Sequence, residues 1–276
     1  MLAPLDGATD NAFRELCFRH GADLTFTEMA RLSGVTRKNK STMRKIEILS
    51  EVPTQIQFAP DSEKALESFL VNFKPPKGFS GINFNLGCPS NNFIREGLGC
   101  AMIKRVSKVS RMVNIVKNIG LKCSIKMRLG MNGYEKKSKV YLNLINGVEA
   151  DFFVIHARHG TENYMSEVDN KAYFECVKTG KNIIANGDID SIKKVDILKE
   201  MGIKGVMIGR EAIRNPAIFE QLKFSKKPDF GELRKEYIAL SEKYFEPNNP
   251  DTKYRDNVLN WIGKEKIAFD KEPVGG

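Results

Sequence analysis

Cys88 stands between a glycine and a proline in Asn85-Leu86-Gly87-Cys88-Pro89-Ser90, directly after the apolar run Gly81-Ile82-Asn83-Phe84. A thiol, with an ordinary pKa of about 8.5, is mostly protonated at neutral pH yet yields its proton far more readily than a serine hydroxyl. In a tight turn past a buried strand it reads as a general acid, against the plainer reading of a small buried filler. Cys100, twelve positions on, falls inside an amphipathic segment and reads as packing.

Two further groups of residues carry chemistry. Lys126, in Ser124-Ile125-Lys126-Met127-Arg128, alternates inward with apolar neighbours. A lysine pointing into a core needs an anion, either a carboxylate such as Glu28 or a ligand. The other group is the pair of turns Asn186-Gly187-Asp188 and Gly209-Arg210-Glu211. Their glycines permit close backbone approach and Arg210 brings charge, as a phosphate site beside a short helix N-terminus requires. Gln57 adds an adjacent donor and acceptor, which suits a planar heterocycle with alternating C=O and N–H groups.

What positions these residues is a repeat of short apolar runs separated by helical patterns. Candidate strands fall at 1–4, 24–27, 54–58, 81–85, 122–127, 152–156, 182–186 and 205–208. After the fourth, Met102, Ile103, Val106, Val109, Met112, Val113 and Val116 form one helical face that Gly120 ends. A second helix runs from about Asp190 to Met201. Eight strand–helix units predict an α/β fold, a (β/α)8 TIM barrel whose strands are apolar on both faces. An open doubly wound sheet is the competing fold, and the first turn lacks its Gly-x-Gly-x-x-Gly fingerprint. Past Phe224 the segment Ser225-Lys226-Lys227-Pro228-Asp229 reads as a linker. Beyond it, Leu233, Tyr237, Leu240, Tyr244 and Phe245 make one amphipathic face, Pro247-Asn248-Asn249-Pro250 breaks it, and Tyr254, Val258, Trp261 and Ile262 make another. The expected division is a barrel over 1–224 and a small C-terminal helical domain over 225–276, with an unstructured tail at 272–276 and a chain that stops early.

In a barrel the functional residues gather at the C-terminal strand ends. Here those are Ala3-Pro4, Glu28, Gln57, Asn85 with Cys88, Lys126 with Arg128, His156 with Arg158, Asn186-Gly187-Asp188 and Gly209-Arg210. So many polar groups at one mouth need a polar ligand, and together they point to flavin mononucleotide: phosphate at the last two turns, and Lys126 where a cation stabilises the anionic reduced ring.

The same residues resemble those of the tRNA-dihydrouridine synthases. The resemblance rests on Leu2-Ala3-Pro4-Leu5 with Thr9-Asp10 and Phe13-Arg14, Asn85-Leu86-Gly87-Cys88-Pro89 with Gly97-Leu98-Gly99, Lys126-Met127-Arg128, His156-Ala157-Arg158, Asn186-Gly187-Asp188-Ile189 and Gly209-Arg210, in order through about 220 residues. It implies FMN-dependent reduction of uridine C5=C6 bonds in tRNA, with NADPH (or NADH) as reductant and Cys88 as the acid. By the same likeness Ala3, Pro4, Gln57, Lys126, His156, Asn186, Gly187, Asp188, Gly209 and Arg210 bind the FMN. Asn85 and Arg158 face the substrate, and the helical domain grips the tRNA.

Composition sets the remaining bounds. A chain of 276 residues, 41% hydrophobic, can fill a large single core. No apolar run reaches the roughly 18 to 20 residues of a membrane span and no signal sequence opens the chain, so a cytoplasmic monomer is expected. Five cysteines without a Cys-x-x-Cys pair argue against a disulfide framework or zinc site, and no metal is assigned to the His156 and His159 pair. The net charge of +10 favours a polyanionic partner. Arg37-Lys38-Asn39-Lys40 with Arg44-Lys45, and Lys104-Arg105 with Lys108 and Arg111, are the candidate contacts. Two other readings share parts of this pattern: an FMN barrel acting on a free pyrimidine, as dihydroorotate dehydrogenases do, and a flavin-free RNA-binding barrel.

Overall fold

The computed structural model describes residues 1–244 and 252–270. Phe245, the break at 247–250 and the tail at 272–276 lie outside the described residues, as does the side chain of Tyr254.

The expected strands line up in parallel and in sequence order, because each apolar run is followed by a helix that returns the chain to the same end of the sheet. β1 (Thr25–Phe26) and β2 (Ala30–Arg31) both pair with β3 (Thr54–Ala59); β4 (Phe79–Leu86), β5 (Cys123–Met127), β6 (Phe153–His156), β7 (Ile183–Asn186) and β8 (Gly205–Met207) follow. Residues 1–3 close the ring. Leu2 N donates to Leu24 O at 2.9 Å on one side, and Ala3 N donates to Ile208 O at 2.8 Å on the other. The expected (β/α)8 barrel is the fold. All six residues of β3 and all four of both β6 and β7 are buried; β6 and β7 accordingly read as apolar runs, whereas β3 buries Thr54, Gln55 and Gln57 among its apolar residues.

β1 and β2 are two pieces of one barrel strand. Between them Thr27 Oγ1 accepts the Gln57 N–H at 3.0 Å in place of a backbone carbonyl, and Glu28 accepts from Gly7 N. The segment after β4 also differs from expectation. Cys100 and Met102 lie in a 3-10 turn (Gly99–Met102), and the helix proper, α6, starts at Val106 and ends at Asn118. The turn is imposed from outside, by Cys100 N donating to Cys88 O at 3.1 Å. The buried stripe of α6 is Val109, Met112, Val113 and Val116, as its 3.6-residue spacing requires.

The outer layer is otherwise α1 (Asn11–Arg19), the short pair α2 (Leu32–Thr36) and α3 (Lys40–Lys45), α4 (Glu63–Asn72), α5 (Asn91–Arg95), α7 (Gly133–Lys137), α8 (Val140–Gly147), α9 (Asn170–Val177), α10 (Ile192–Glu200), α11 (Arg210–Arg214) and α12 (Ile218–Phe224). α13 (Phe230–Tyr244) and α14 (Thr252–Trp261) complete the described α-helices, a 3-10 turn (Ala268–Asp270) follows, and no helix is long and apolar enough to cross a membrane. α13 lies on α1. Tyr237 meets Phe13 edge to face at 6.2 Å and donates to Asp10 Oδ2 at 3.1 Å, and Lys243 pairs with Glu15 at 2.9 Å.

Candidate active site

Asn85 and Lys126 are direct partners in the β4–β5 register, which sets an amide and an ammonium side by side at the mouth. The Asn85 Oδ1 accepts from both Gly87 N and Cys88 N at 3.0 Å, so the side chain itself builds the turn that presents the thiol. Its Nδ2 donates to Gln57 Oε1 at 2.9 Å.

The loop after α5 then folds back over this turn. Gly99 has φ +56, and a Cβ there would stand 2.2 Å from Cys88 O. The buried Cys100 thiol donates to Gly87 O at 3.2 Å. Cys17, Cys100, Cys123 and Cys176 are buried, whereas Cys88 is partly open to the mouth. Burial raises its pKa above the usual thiol range, opposed by the Ser90 amide and the charges of Arg128 and Lys126, so at neutral pH it is a thiol with a proton to give.

The Lys126 ammonium makes no hydrogen bond or ion pair among the described residues. Burial lowers its pKa to about 8, and Arg128 pushes the same way. Glu28, considered from sequence as its partner, is committed elsewhere: it accepts the Gly7 N–H, and burial and then Asp6 raise its pKa to about 7. A desolvated cation without a counter-ion, at the mouth of a barrel, suits an anionic ligand.

On the other side, β6 and β7 pair His156 with Asn186. His156 is held well below its usual pKa, first by burial and then by Arg128, Lys126, Arg158 and Arg210. The ring is therefore neutral, and with Nε2 3.1 Å from Arg158 Nη1 its proton sits on Nδ1. Arg158, expected at the substrate, is instead 0% exposed. Its guanidinium bonds to Ser166 O, Tyr164 O, His156 and Asp188, and so braces the 159–166 loop. Asp188, in a left-handed conformation, joins Arg158 to Arg210, which it holds at 2.6 Å.

The two glycine turns do frame a cavity, of about 220 Å³, lined by Asn186, Gly187, Asp188, Gly209, Arg210 and Arg214 among others. At Gly187, φ +131, a Cβ would lie 2.7 Å from Val168 Cγ1 and 3.1 Å from His156 Cδ2, so the imidazole and this turn touch. Asn186 is fixed by Nδ2 donating to Met207 O at 2.9 Å, and Ala3 lies against Gly209. The cavity, Arg210 and the unpaired Lys126 form an arrangement that fits a phosphorylated ligand with an anionic ring.

Sequence reasoning missed Tyr164, which stacks near His156 (6.3 Å between ring centroids) and lies 4.2 Å under the Arg210 guanidinium. Nothing in its own neighbourhood of Glu162, Asn163 and Met165 marks it. Of the basic stretches, the second is largely paired: Lys104 with Glu135, Lys108 with Asp61 O, and Arg111 with Glu63, while Arg105 stays exposed. In the first, Arg37, Lys38 and Lys40 are exposed on the α2–α3 turn without an ion pair among the described residues.

A closed parallel barrel with its amides, thiol and unpaired lysine at the C-terminal rim, and an arginine at paired glycine turns, defines the class: a TIM-barrel enzyme with its chemistry in the strand-end loops. The family model described as dihydrouridine synthase (Dus) matches residues 1–249, and the chain belongs to that family. A probable tRNA-dihydrouridine synthase of Helicobacter pylori (strain J99 / ATCC 700824) is 31% identical over 232 residues, covering 80% of this chain and 69% of the relative. The tRNA-dihydrouridine synthase B of Pasteurella multocida is 28% identical over 279 residues, covering 96% and 79%. Among solved structures, morphinone reductase shares the fold, with a TM-score of 0.55 at 10% identity over 90% of this chain and 94% of that one.

Proposed function

We propose that this chain is an FMN-dependent tRNA-dihydrouridine synthase that uses NADPH as reductant, with residues 1–224 as the catalytic barrel and 225–276 as a helical unit gripping the tRNA. The observation that carries the reading is the unpaired Lys126 ammonium beside Asn85 and the Cys88 turn. Family membership supports the same reaction.

Gly187, Gly209 and Arg210 would hold the phosphate, with Asn186, Ala3 and Pro4 around it. Gln57, Lys126 and the neutral His156 would hold the ring, and Asp188 aims Arg210. When bound, FMN supplies hydride to C6 of a uracil ring, its electrons coming from NADPH. The residues do the rest. Asn85 has one Nδ2–H left for a base carbonyl, where negative charge gathers as the C5=C6 bond is reduced. Cys88 gives its proton to C5 and is reprotonated from solvent. Arg158 acts through His156, Asp188 and the 159–166 loop. Unstacking a uridine from folded tRNA costs a few kcal/mol, offset by phosphate contacts for which Arg37, Lys38 and Lys40 are placed.

Cys88→Ala tests the assignment. The variant is expected to bind FMN as tightly as the parent while losing about 10²-fold or more of its turnover on unmodified tRNA. Parental turnover from it contradicts the role given to the thiol.

A further inference from the structure

Below the rim, three adjacent strands send polar side chains into the barrel at two-residue spacing: Gln55 and Gln57 from β3, Asn83 and Asn85 from β4, and Ser124 and Lys126 from β5. The register makes Gln57 the neighbour of Asn83, Asn83 of Ser124, and Asn85 of Lys126. Gln55, Gln57, Asn83 and Ser124 are 2% exposed or less.

Five of these residues form one directed file of hydrogen bonds. Gly87 N and Cys88 N donate to Asn85 Oδ1, and Asn85 Nδ2 donates to Gln57 Oε1 at 2.9 Å. Gln57 Nε2 then donates to Asn83 Oδ1 at 2.7 Å, Asn83 Nδ2 to Ser124 Oγ at 2.7 Å, and Ser124 Oγ to Gln55 Oε1. Every amide points the same way. An amide can in principle be turned end for end, but here the two backbone N–H groups at the Cys88 turn can donate only to an oxygen, so they set the sense of Asn85. Each donor then dictates the next acceptor down to the Ser124 hydroxyl, which can accept from Asn83 and donate onward. The file is complete, since the buried side-chain atoms without partners among the described residues are Arg14 Nε and Asp61 Oδ1, both outside it.

We propose that Asn83, Ser124 and Gln55 are positioning residues, which lock the Gln57 and Asn85 amides in one orientation. Resting on the functional reading above, this defines what the rim recognises. Asn85, its oxygen taken twice, offers a ligand only a donor and so meets a carbonyl oxygen. Gln57 keeps one N–H and one lone pair, and so meets a ring edge that carries a donor beside an acceptor.

The test compares Ser124→Ala and Asn83→Leu, which cut the file, with Ser124→Thr, which keeps the hydroxyl. In the full chain, both cuts are expected to weaken FMN binding about tenfold and to shift the visible absorption band of the bound flavin, with Ser124→Thr restoring both. Cuts that lower only the thermal midpoint, with flavin affinity and spectrum unchanged, make these residues core filler and overturn the proposal. A parent protein that binds no flavin sinks the functional reading instead. The proposal is then decided in the flavin-free chain by NMR of the Gln57 and Asn85 side-chain NH2 groups. Their protection from solvent exchange is expected to drop in Ser124→Ala and return in Ser124→Thr, and unchanged protection rejects the file.

Discussion

Lys126 and Cys88 share a mouth but are displaced from their usual titration in opposite directions, the ammonium down to about 8 and the thiol up, both chiefly by burial. Each displacement suits the chemistry given to the group, since the thiol retains a proton through neutral pH and the lysine is charged there but unpaired. The sign of a pH effect follows. An anionic ligand gains from Lys126 only while it is charged, so FMN affinity for the free protein is expected to fall as pH rises through about 8. In Lys126→Met the affinity is expected to be lower and to have lost that limb. Titrations of FMN from about pH 6.5 to about 9.5 check this, and an identical limb in the variant assigns it to another group. The protonated thiol and the inward lysine were readable in sequence, but there Lys126 had two possible partners. Only the fold shows Glu28 turned to Gly7. Arg158 is the opposite case, since a polar residue at a strand end reads alike whether it lines a site or, as here, braces one.

At the level of elements, the turn after β4 and the loop bearing Gly99 are one construction. A side chain at Gly99 must displace the Cys88 carbonyl, 2.2 Å from where its Cβ would sit, and must hold φ +56. Gly99→Ala is expected to cost about 1–3 kcal/mol of stability from the backbone conformation alone. It is also expected to reduce turnover through the displaced thiol, as thermal unfolding and tRNA assays together report; a variant equal to the parent in both removes the loop from the site. The eight strands were readable because burial on both faces leaves a run of apolar residues that short loops and glycines bound. Two details were not. The gap between β1 and β2 depends on the Thr27 hydroxyl standing in for a backbone carbonyl, and the 3-10 turn at Gly99–Met102 depends on a bond from Cys100 to Cys88. Both are tertiary events that no local period records.

For the whole molecule, folding decides which of the positive charges remain available. Lys104, Lys108 and Arg111 are taken by neighbouring acceptors, while Arg37, Lys38 and Lys40 stay exposed on a turn whose α3 end is tied to the mouth by the Lys45–Asp6 pair. α13 is anchored to α1 through Tyr237, Lys243 and Glu15, which fixes the appended helices against the barrel that carries the site. An exposed basic turn favours a base presented within RNA over a free pyrimidine, since both readings share the mouth and only the first uses the charge outside it. The most direct measurement gives the purified chain FMN and NADPH and offers unmodified tRNA, free uracil and orotate in parallel. Dihydrouridine in the tRNA, with both free pyrimidines left unreduced, is the expected result. Reduction of a free pyrimidine with the tRNA untouched, or tRNA binding without any reduction, contradicts it.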